Sequence, residues 1–156
     1  MKRAINFLRW KALFVLRHLS RLIGVRWNSY YAWMLDTQDR KVTLDQILSR
    51  SPGRRKTIGL WDWWLGADCV AFMKRHGLSP ESTVVDFGCG YGRVMIPLLC
   101  QLGGGGKVIG IEISRRRLAL AREWIDREQM ADQSHELVLS KDNSLAYLAD
   151  GTIDVF

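Results

Sequence analysis

The chain has 156 residues, of which 47% are hydrophobic and 25% are charged. These proportions suit one domain of ordinary size with a buried core, so the chain need not be disordered. The three cysteines form no CxxC pair and no Cys/His cluster. This pattern argues against a disulfide framework and against a zinc site, and it suits a reducing cytoplasm.

The net charge of +7 is concentrated near the N-terminus. Residues 1–35 contain seven Lys or Arg and no acidic residue, whereas the remaining residues contain 16 of each sign. The basic segment is therefore the candidate for contact with an anionic partner. Its apolar runs are too short for a signal peptide, which needs about 7–15 consecutive apolar residues, and for a membrane span, which needs about 20.

Residues 4–23 have the apolar periodicity of an amphipathic helix, with most basic residues on the opposite face. Three interpretations fit this pattern, and we rank them in this order. The helix packs on the rest of the protein, or it lies on an anionic membrane surface, or its arginines bind RNA. A cytoplasmic protein, with peripheral membrane attachment as an option and nucleic acid ranked last among the partners, is the resulting expectation.

The segment that follows contains the best internal boundary. Residues 27–42 are rich in aromatic side chains and show no clean period. Thr43 is the predicted cap of a short helix that runs through Leu48. The next stretch combines Ser, Pro, Gly and charge, which is typical of a linker. We therefore divide the chain into an N-terminal helical segment (1–48), a linker (49–58) and a domain (59–156).

The rest of the chain alternates strands with helices. The predicted elements are a helix at 60–77, a strand at 83–87, a helix at 93–102, a strand at 107–114, a helix at 115–130, a strand at 135–140 and a fourth strand from residue 152. This alternation predicts an α/β, Rossmann-like parallel sheet with flanking helices. The run Arg115–Arg117 is predicted to be a solvated helix face.

The stretch VVDFGCGYGR, residues 84–93, joins the first strand to the next helix. Glycines at this place allow the backbone to approach a ligand, and the helix beyond them offers free N–H groups to an anion. NAD, FAD and S-adenosylmethionine (SAM) all fit this much. The dinucleotide fingerprint GxGxxG, however, has a glycine where this chain has Arg93. Asp86, at the strand end, suits the ammonium group of SAM.

Two further acids follow the next two strands. Glu112 ends the second strand, where a carboxylate can accept hydrogen bonds from both hydroxyls of a ribose. Asp142 follows the third strand, where it could accept from the amino group of adenine. Acids at the ends of three consecutive strands favour an adenosine ligand that also carries a cationic end.

These segments, together with KDNS and TIDVF, resemble the first half of a class I SAM-dependent methyltransferase over roughly residues 60–156. The resemblance implies SAM as the cofactor and methyl transfer by in-line displacement. Cys89 is expected to be a small filler in the turn without a nucleophilic role. No catalytic base can be named, and no metal is expected. The expected cofactor-binding residues are Asp86, Gly88, Cys89, Gly90, Gly92, Glu112, Ile113, Asp142 and Asn143.

The sheet of this family has seven strands, whereas the predicted strands of this chain stop in the fourth. We therefore expect a fragment, a truncated product or a sheet completed by a partner chain, with doubtful activity of the chain alone. The acceptor is not readable from the residues present, and a small molecule is the expectation. The alternative is a non-catalytic module that binds SAM or a partner, and a nicotinamide oxidoreductase ranks below both.

Overall fold

The computed structural model describes residues 27–49 and 62–140, and beyond them residues 145, 148 and 151–154. Three parallel strands form a sheet of order β1-β2-β3, with helices packed against it. The predicted helix at 4–23 and most of the predicted linker lie outside the described residues. The elements in chain order are α1 (Trp27–Gln38), α2 (Leu44–Leu48), α3 (Asp62–Arg75), β1 (Thr83–Phe87), α4 (Met95–Leu102), β2 (Lys107–Glu112), α5 (Arg115–Arg127) and β3 (His135–Leu139).

The central strand, β2, is the most buried of the three strands. Its residues from Val108 onward are all buried, as expected for a parallel strand that is covered on both faces. Val85 of β1 is in register with Ile109, and Ile111 is in register with Val138 of β3. The predicted α/β parallel sheet is therefore confirmed. The predicted second strand ran two residues past the observed end at Glu112, and Ser114 caps α5, a position that the sequence also predicts for it.

Helix α4 connects β1 to β2 and supplies much of the core. Pro97 is its third residue, so the proline lies in the first turn, where a missing N–H is tolerated. Gly103 ends the helix in the left-handed conformation, with φ of 57°. The run of four glycines is therefore a connection, as predicted, and it leads directly into β2.

Helix α3 approaches the start of α4 closely at Gly66. Pro97 offers no N–H to the carbonyl of Arg93, four residues earlier, and this carbonyl lies against Gly66. A Cβ atom at Gly66 would be 2.4 Å from the oxygen of Arg93 and 3.3 Å from Cγ of Pro97. Both atoms belong to rigid groups, so an added methyl group would force the two helices apart.

Gly66→Ala is expected to lower the free energy of unfolding by about 1–3 kcal/mol, because overpacking outweighs the gain in helix propensity. Propensity alone predicts the opposite sign, since alanine is about 1 kcal/mol better than glycine in a helix. Urea denaturation measures the difference. The control is Ala67→Gly at an exposed neighbouring position, which should cost no more than about 1 kcal/mol. A stabilised Gly66→Ala variant would contradict the close contact.

The sequence did not predict helix α1. Its aromatic residues lie on several faces, so no single apolar stripe marks it, and Trp33 is 61% exposed. Helix α2 was predicted, and Thr43 forms a capping box with Gln46. Both helices pack on α5, and Leu44 is fully buried in the main core. Residues 27–48 are thus in direct contact with the parallel-sheet region.

The prediction that Arg115–Arg117 face solvent was wrong for two of the three arginines. Arg116 and Arg117 are half-buried at the start of α5. Arg116 donates to the carbonyl of Val42, and Arg117 forms an ion pair with Asp39. The segment around α1 and α2 supplies these partners, and its position against α5 could not be predicted from local sequence.

The predicted fourth strand begins at residue 152, and only its first three residues are described. Residues 152–154 are not in strand conformation. The N–H of Asp154 nevertheless donates to the carbonyl of Thr83 over 3.0 Å, and its carboxylate accepts from the N–H of Thr83 over 2.6 Å. These contacts place Asp154 beside β1, at the edge opposite β2. Within residues 27–49 and 62–140, no helix is long and apolar enough to cross a membrane.

Candidate functional site

A cavity of about 460 Å³ opens at the carboxyl ends of the three strands. Gly88 follows β1, Glu112 ends β2 and Ser140 follows β3, and all three residues line the cavity. In open α/β sheets this edge is where ligands bind. The cavity volume also lies within the range of about 300–1,000 Å³ that is typical of small-molecule sites.

The glycine loop, residues 88–92, reaches the cavity at Gly88. Gly88, Gly90 and Gly92 have φ values of 84°, 57° and 91°, which L-residues with side chains rarely adopt. The N–H groups of Gly88 and Cys89 both donate to the carbonyl of Ile111, over 2.7 and 3.0 Å. The loop is thus fastened to β2 at its first two residues, and its backbone faces the cavity at Gly88.

Asp86 is the last but one residue of β1, two positions before the loop. Its Oδ2 is buried and has no hydrogen-bond partner among the described residues. Burial raises the pKa of the Asp86 carboxyl from 3.8 to about 6; the charge of Arg93 lowers this pKa and the charge of Glu112 raises it. A buried carboxylate oxygen without a partner is costly, so Asp86 is suited to receive a cationic donor from a ligand.

Glu112, unlike Asp86, has hydrogen-bond partners for both of its carboxylate oxygens. It is only 5% exposed, and its Oε1 accepts from the N–H groups of Ile113 and Ser114 over 2.7 and 2.9 Å. Its Oε2 accepts from the N–H of Gly90 over 3.1 Å. A carboxylate has about four acceptor sites, so one site, on Oε2, is left for a ligand. Glu112 therefore binds the glycine loop to the start of α5 as well as lining the cavity.

The remaining sequence-predicted residues are divided between the loop, the cavity wall and the undescribed part of the chain. Cys89 is 5% exposed and packs in the core; burial raises the pKa of its thiol, with the nearby charges of Asp86 and Glu112 adding to the effect. Ile113 lines the cavity. Asp142 and Asn143 lie outside the described residues.

Seven cavity residues were not predicted as site residues from the sequence. Three of them lie on α1 and share one of its faces, because they are spaced by three and four positions. Phe87 ends β1 and is 46% exposed, whereas Arg117 reaches the cavity from α5. The many aromatic side chains of residues 27–42 were the available signal in the sequence, but they show no helical period that would identify the residues facing the cavity. The seven residues are Asn28, Tyr31, Leu35, Phe87, Ile111, Arg117 and Ser140.

A family model described as a methyltransferase domain matches residues 84–156, from β1 onward. The chain belongs, over this region, to the class I SAM-dependent methyltransferases. The predictions of the family, of SAM as the cofactor that this family uses and of an enzyme family are thereby confirmed. The partial match also agrees with the prediction that the chain holds the N-terminal half of such a domain.

Relatives and solved structures support the same assignment. The chain is 36% identical over 110 residues to a ribosomal protein L11 methyltransferase from Aliivibrio fischeri, which covers 70% of the chain and 33% of the relative. The Escherichia coli protein of the same name is 33% identical over 109 residues, with the same two coverages. The chain thus spans about a third of the length of the curated relatives that it matches.

Two solved structures have the same arrangement of strands and helices. A SAM-dependent methyltransferase from Aquifex aeolicus has a TM-score of 0.51 and 28% identity, over 60% of this chain and 49% of that one. Magnesium protoporphyrin IX methyltransferase from Synechocystis PCC 6803, with bound SAH, has a TM-score of 0.52 and 20% identity, over 78% of this chain and 53% of that one. The latter likeness concerns the fold alone.

The relatives correct the expectation about partners. The sequence led to the expectation of a small-molecule acceptor, but the relatives are named for a ribosomal protein. For the same reason, the low rank given to nucleic acid among the partners is no longer supported. Nothing in these relatives supports an anionic membrane as a partner, or a partner chain that completes the sheet. The motifs named from the sequence concern the cofactor and carry no signal for the acceptor.

Proposed function

We propose that this chain is the cofactor-binding part of a SAM-dependent methyltransferase whose acceptor is a protein. The observation that carries the proposal is the cavity where the three strands end, lined by Gly88 and Glu112, with the unpartnered buried carboxylate oxygen of Asp86 two residues before Gly88. The relatives that are named ribosomal protein L11 methyltransferases support a protein acceptor. Because the chain spans about a third of their length, its activity and its acceptor are both part of the proposal.

Two residues at this edge of the sheet fit the proposed cofactor. Asp86 offers a buried carboxylate oxygen that lacks a partner among the described residues, and the ammonium group of the methionine end is a cationic donor. At Gly88 an added Cβ would meet no described atom within 4 Å, and Gly88 lines the cavity. The backbone therefore has an open surface at the place where a ligand must come closest to it.

The described residues would bind and orient the cofactor. When bound, SAM supplies a methyl group that an acceptor nucleophile can take by in-line displacement. Asp86 would hold the ammonium end, and the remaining acceptor site of Glu112 Oε2 would take one ribose hydroxyl. Asp142 and Asn143, after β3, are proposed for the adenine end. The contribution of these residues is orientation and exclusion of water, which together account for much of the catalysis in such reactions.

The cellular compartment of the protein is part of the same proposal. Cys69, Cys89 and Cys100 are free thiols, which supports the reducing environment of the cytoplasm.

The division into residues 1–48, 49–58 and 59–156 likewise remains a proposal, because residues 50–61 lie outside the described part of the chain.

Titration calorimetry with S-adenosylhomocysteine and with NAD tests the cofactor assignment. Gly88→Ala should weaken binding of S-adenosylhomocysteine at least tenfold, since its methyl group would project into the cavity. Gly77→Ala is a matched control: Gly77 also has positive φ, 104°, and open space around it, but it lies outside the cavity lining. Tighter binding of NAD, or equal binding by the two variants, would overturn the assignment.

Methyl transfer is tested separately, with radiolabelled SAM, purified ribosomal proteins and the chain. Labelled protein is the expected product. Binding of SAM without any transfer to protein would favour the alternative of a non-catalytic SAM-binding module.

A further inference from the structure

Helix α1 forms one wall of the cavity. Asn28, Tyr31 and Leu35 line it together with Gly88 and Glu112. Leu35 is buried, whereas Tyr31 is 41% exposed. The wall is therefore anchored near its C-terminal end and more open to solvent in its first turns.

A first contact fastens the end of α1 to the start of α5. Asp36 accepts from the hydroxyl of Ser114 over 2.5 Å and from the N–H of Arg116 over 3.1 Å. An acidic side chain is favourable at this place, because the N-terminus of a helix carries a partial positive charge. Ser114 also directly follows Glu112 and Ile113, which line the cavity. The contact with Asp36 therefore connects α1 to the cavity.

A second contact lies at Asp39, immediately after α1. Asp39 is 3% exposed, and its Oδ2 accepts from Nε of Arg117 over 2.6 Å and from the hydroxyl of Tyr91 over 3.1 Å. The guanidinium of Arg117 also lies 5.2 Å from the centre of the Tyr91 ring. Tyr91 belongs to the glycine loop and Arg117 lines the cavity. One carboxylate thus connects α1, the loop and α5.

The charges make this connection strong and sensitive to substitution. Burial lowers the pKa of Arg117, but the hydrogen bond to Asp39 and the nearby negative groups outweigh burial and raise the pKa overall. Arg117 therefore stays charged, and its charge depends on Asp39 for compensation. Removing one partner of a buried ion pair is strongly unfavourable, because the other charge remains buried without a counterion.

We propose that α1 is the outer wall of the cofactor pocket and that Asp39 is the positioning residue that holds this wall against the glycine loop through Tyr91 and Arg117. The inference rests on the proposed function, since it assumes that the pocket takes S-adenosylmethionine or S-adenosylhomocysteine. Asp39 itself does not line the cavity, so it acts through Tyr91, Arg117 and α1.

The test combines calorimetry with amide hydrogen exchange on the full chain, using S-adenosylhomocysteine as the ligand. In the unmodified chain the ligand should slow exchange within residues 27–38. Asp39→Asn keeps the shape and removes the charge, and it should weaken binding at least tenfold and abolish the ligand-dependent protection of α1. Tyr91→Phe removes only the hydroxyl group that reaches Asp39, so it should weaken binding by about threefold.

Asp126→Asn is the matched control, because Asp126 is an exposed carboxylate near the other end of α5. It should leave both readouts unchanged. A merely structural role of Asp39 would lower the melting temperature but leave the ligand-dependent protection of α1 intact, and this result would overturn the inference. Normal affinity of Asp39→Asn would also overturn it. If the unmodified chain does not bind the ligand at all, the proposed function fails, and the inference fails with it.

Discussion

Asp86→Asn is expected to weaken cofactor binding at least tenfold while it stabilises the unliganded chain at neutral pH by about 2–3 kcal/mol. The two effects have one cause. Burial raises the pKa of Asp86 to about 6, so ionising this carboxyl at pH 7 costs free energy in the folded state. Asparagine has nearly the same shape and carries no charge. It therefore avoids the cost and also loses the attraction to a cationic ligand group.

The pH dependence of stability follows from the sign of this shift. The folded-state pKa of Asp86, about 6, lies above its ordinary value of 3.8. Between these two values the folded chain holds a proton that the unfolded chain has lost, so this group makes stability fall as the pH rises through that window. The penalty is complete above the folded-state pKa. Asp86→Asn should remove this part of the pH dependence, as measured by urea denaturation across the window.

Cofactor affinity should show the opposite trend. An ammonium group is attracted to the carboxylate and not to the neutral acid, so binding of S-adenosylhomocysteine should weaken below about pH 6, by at most about tenfold per pH unit. The affinity of Asp86→Asn should be low and nearly independent of pH in this range. Glu81→Gln, an exposed carboxylate just before β1, controls for the loss of one negative charge. If Asp86→Asn keeps full affinity, the ammonium end of the ligand does not lie at Asp86.

The fold was predictable wherever a local pattern determines it. The strand TVVDF was predicted with its observed limits, because an apolar run between a turn and a glycine loop leaves little choice of boundary. The end of β2 was misplaced because Ile113 continues the apolar pattern, whereas the structure turns there so that Ser114 can cap α5. Helix α1 was missed because its aromatic residues form no single apolar stripe, and Tyr31 and Trp33 are exposed.

The candidate site was predictable as far as it lies at the strand ends. Asp86, Gly88 and Glu112 were named from their positions after apolar runs, and the structure brings them to one edge of the sheet. The contribution of Arg117 was not predictable, because its partner Asp39 is 78 positions away along the chain. In sequence, a run of three arginines at a helix start is typical of a solvated surface, and only tertiary packing distinguishes the buried members from the exposed one.

Glu112→Gln is expected to weaken cofactor binding by about 100-fold and to lower the free energy of unfolding by about 2–4 kcal/mol, because hydrogen bonds to a charged group are worth about 1.5–3 kcal/mol each. The carboxylate of Glu112 accepts three backbone N–H groups, from Gly90, Ile113 and Ser114. A glutamine has one oxygen and one NH₂ group. Whichever way the amide is turned, its NH₂ group faces at least one of these N–H donors.

The damage from Glu112→Gln should therefore reach the glycine loop, since the N–H of Gly90 is one of the donors, and it should exceed the loss of a single ligand contact. Asp142→Ala, after β3, is expected to weaken binding less. The control is Glu136→Gln on β3, where an exposed pair with Lys107 over 2.9 Å should be worth less than about 1 kcal/mol. Calorimetry with S-adenosylhomocysteine and urea denaturation measure the two quantities. If Glu112→Gln behaves like Glu136→Gln, Glu112 does not hold the loop; if Asp142→Ala is the more damaging variant, the main anchor of the cofactor lies after β3 and not at the end of β2.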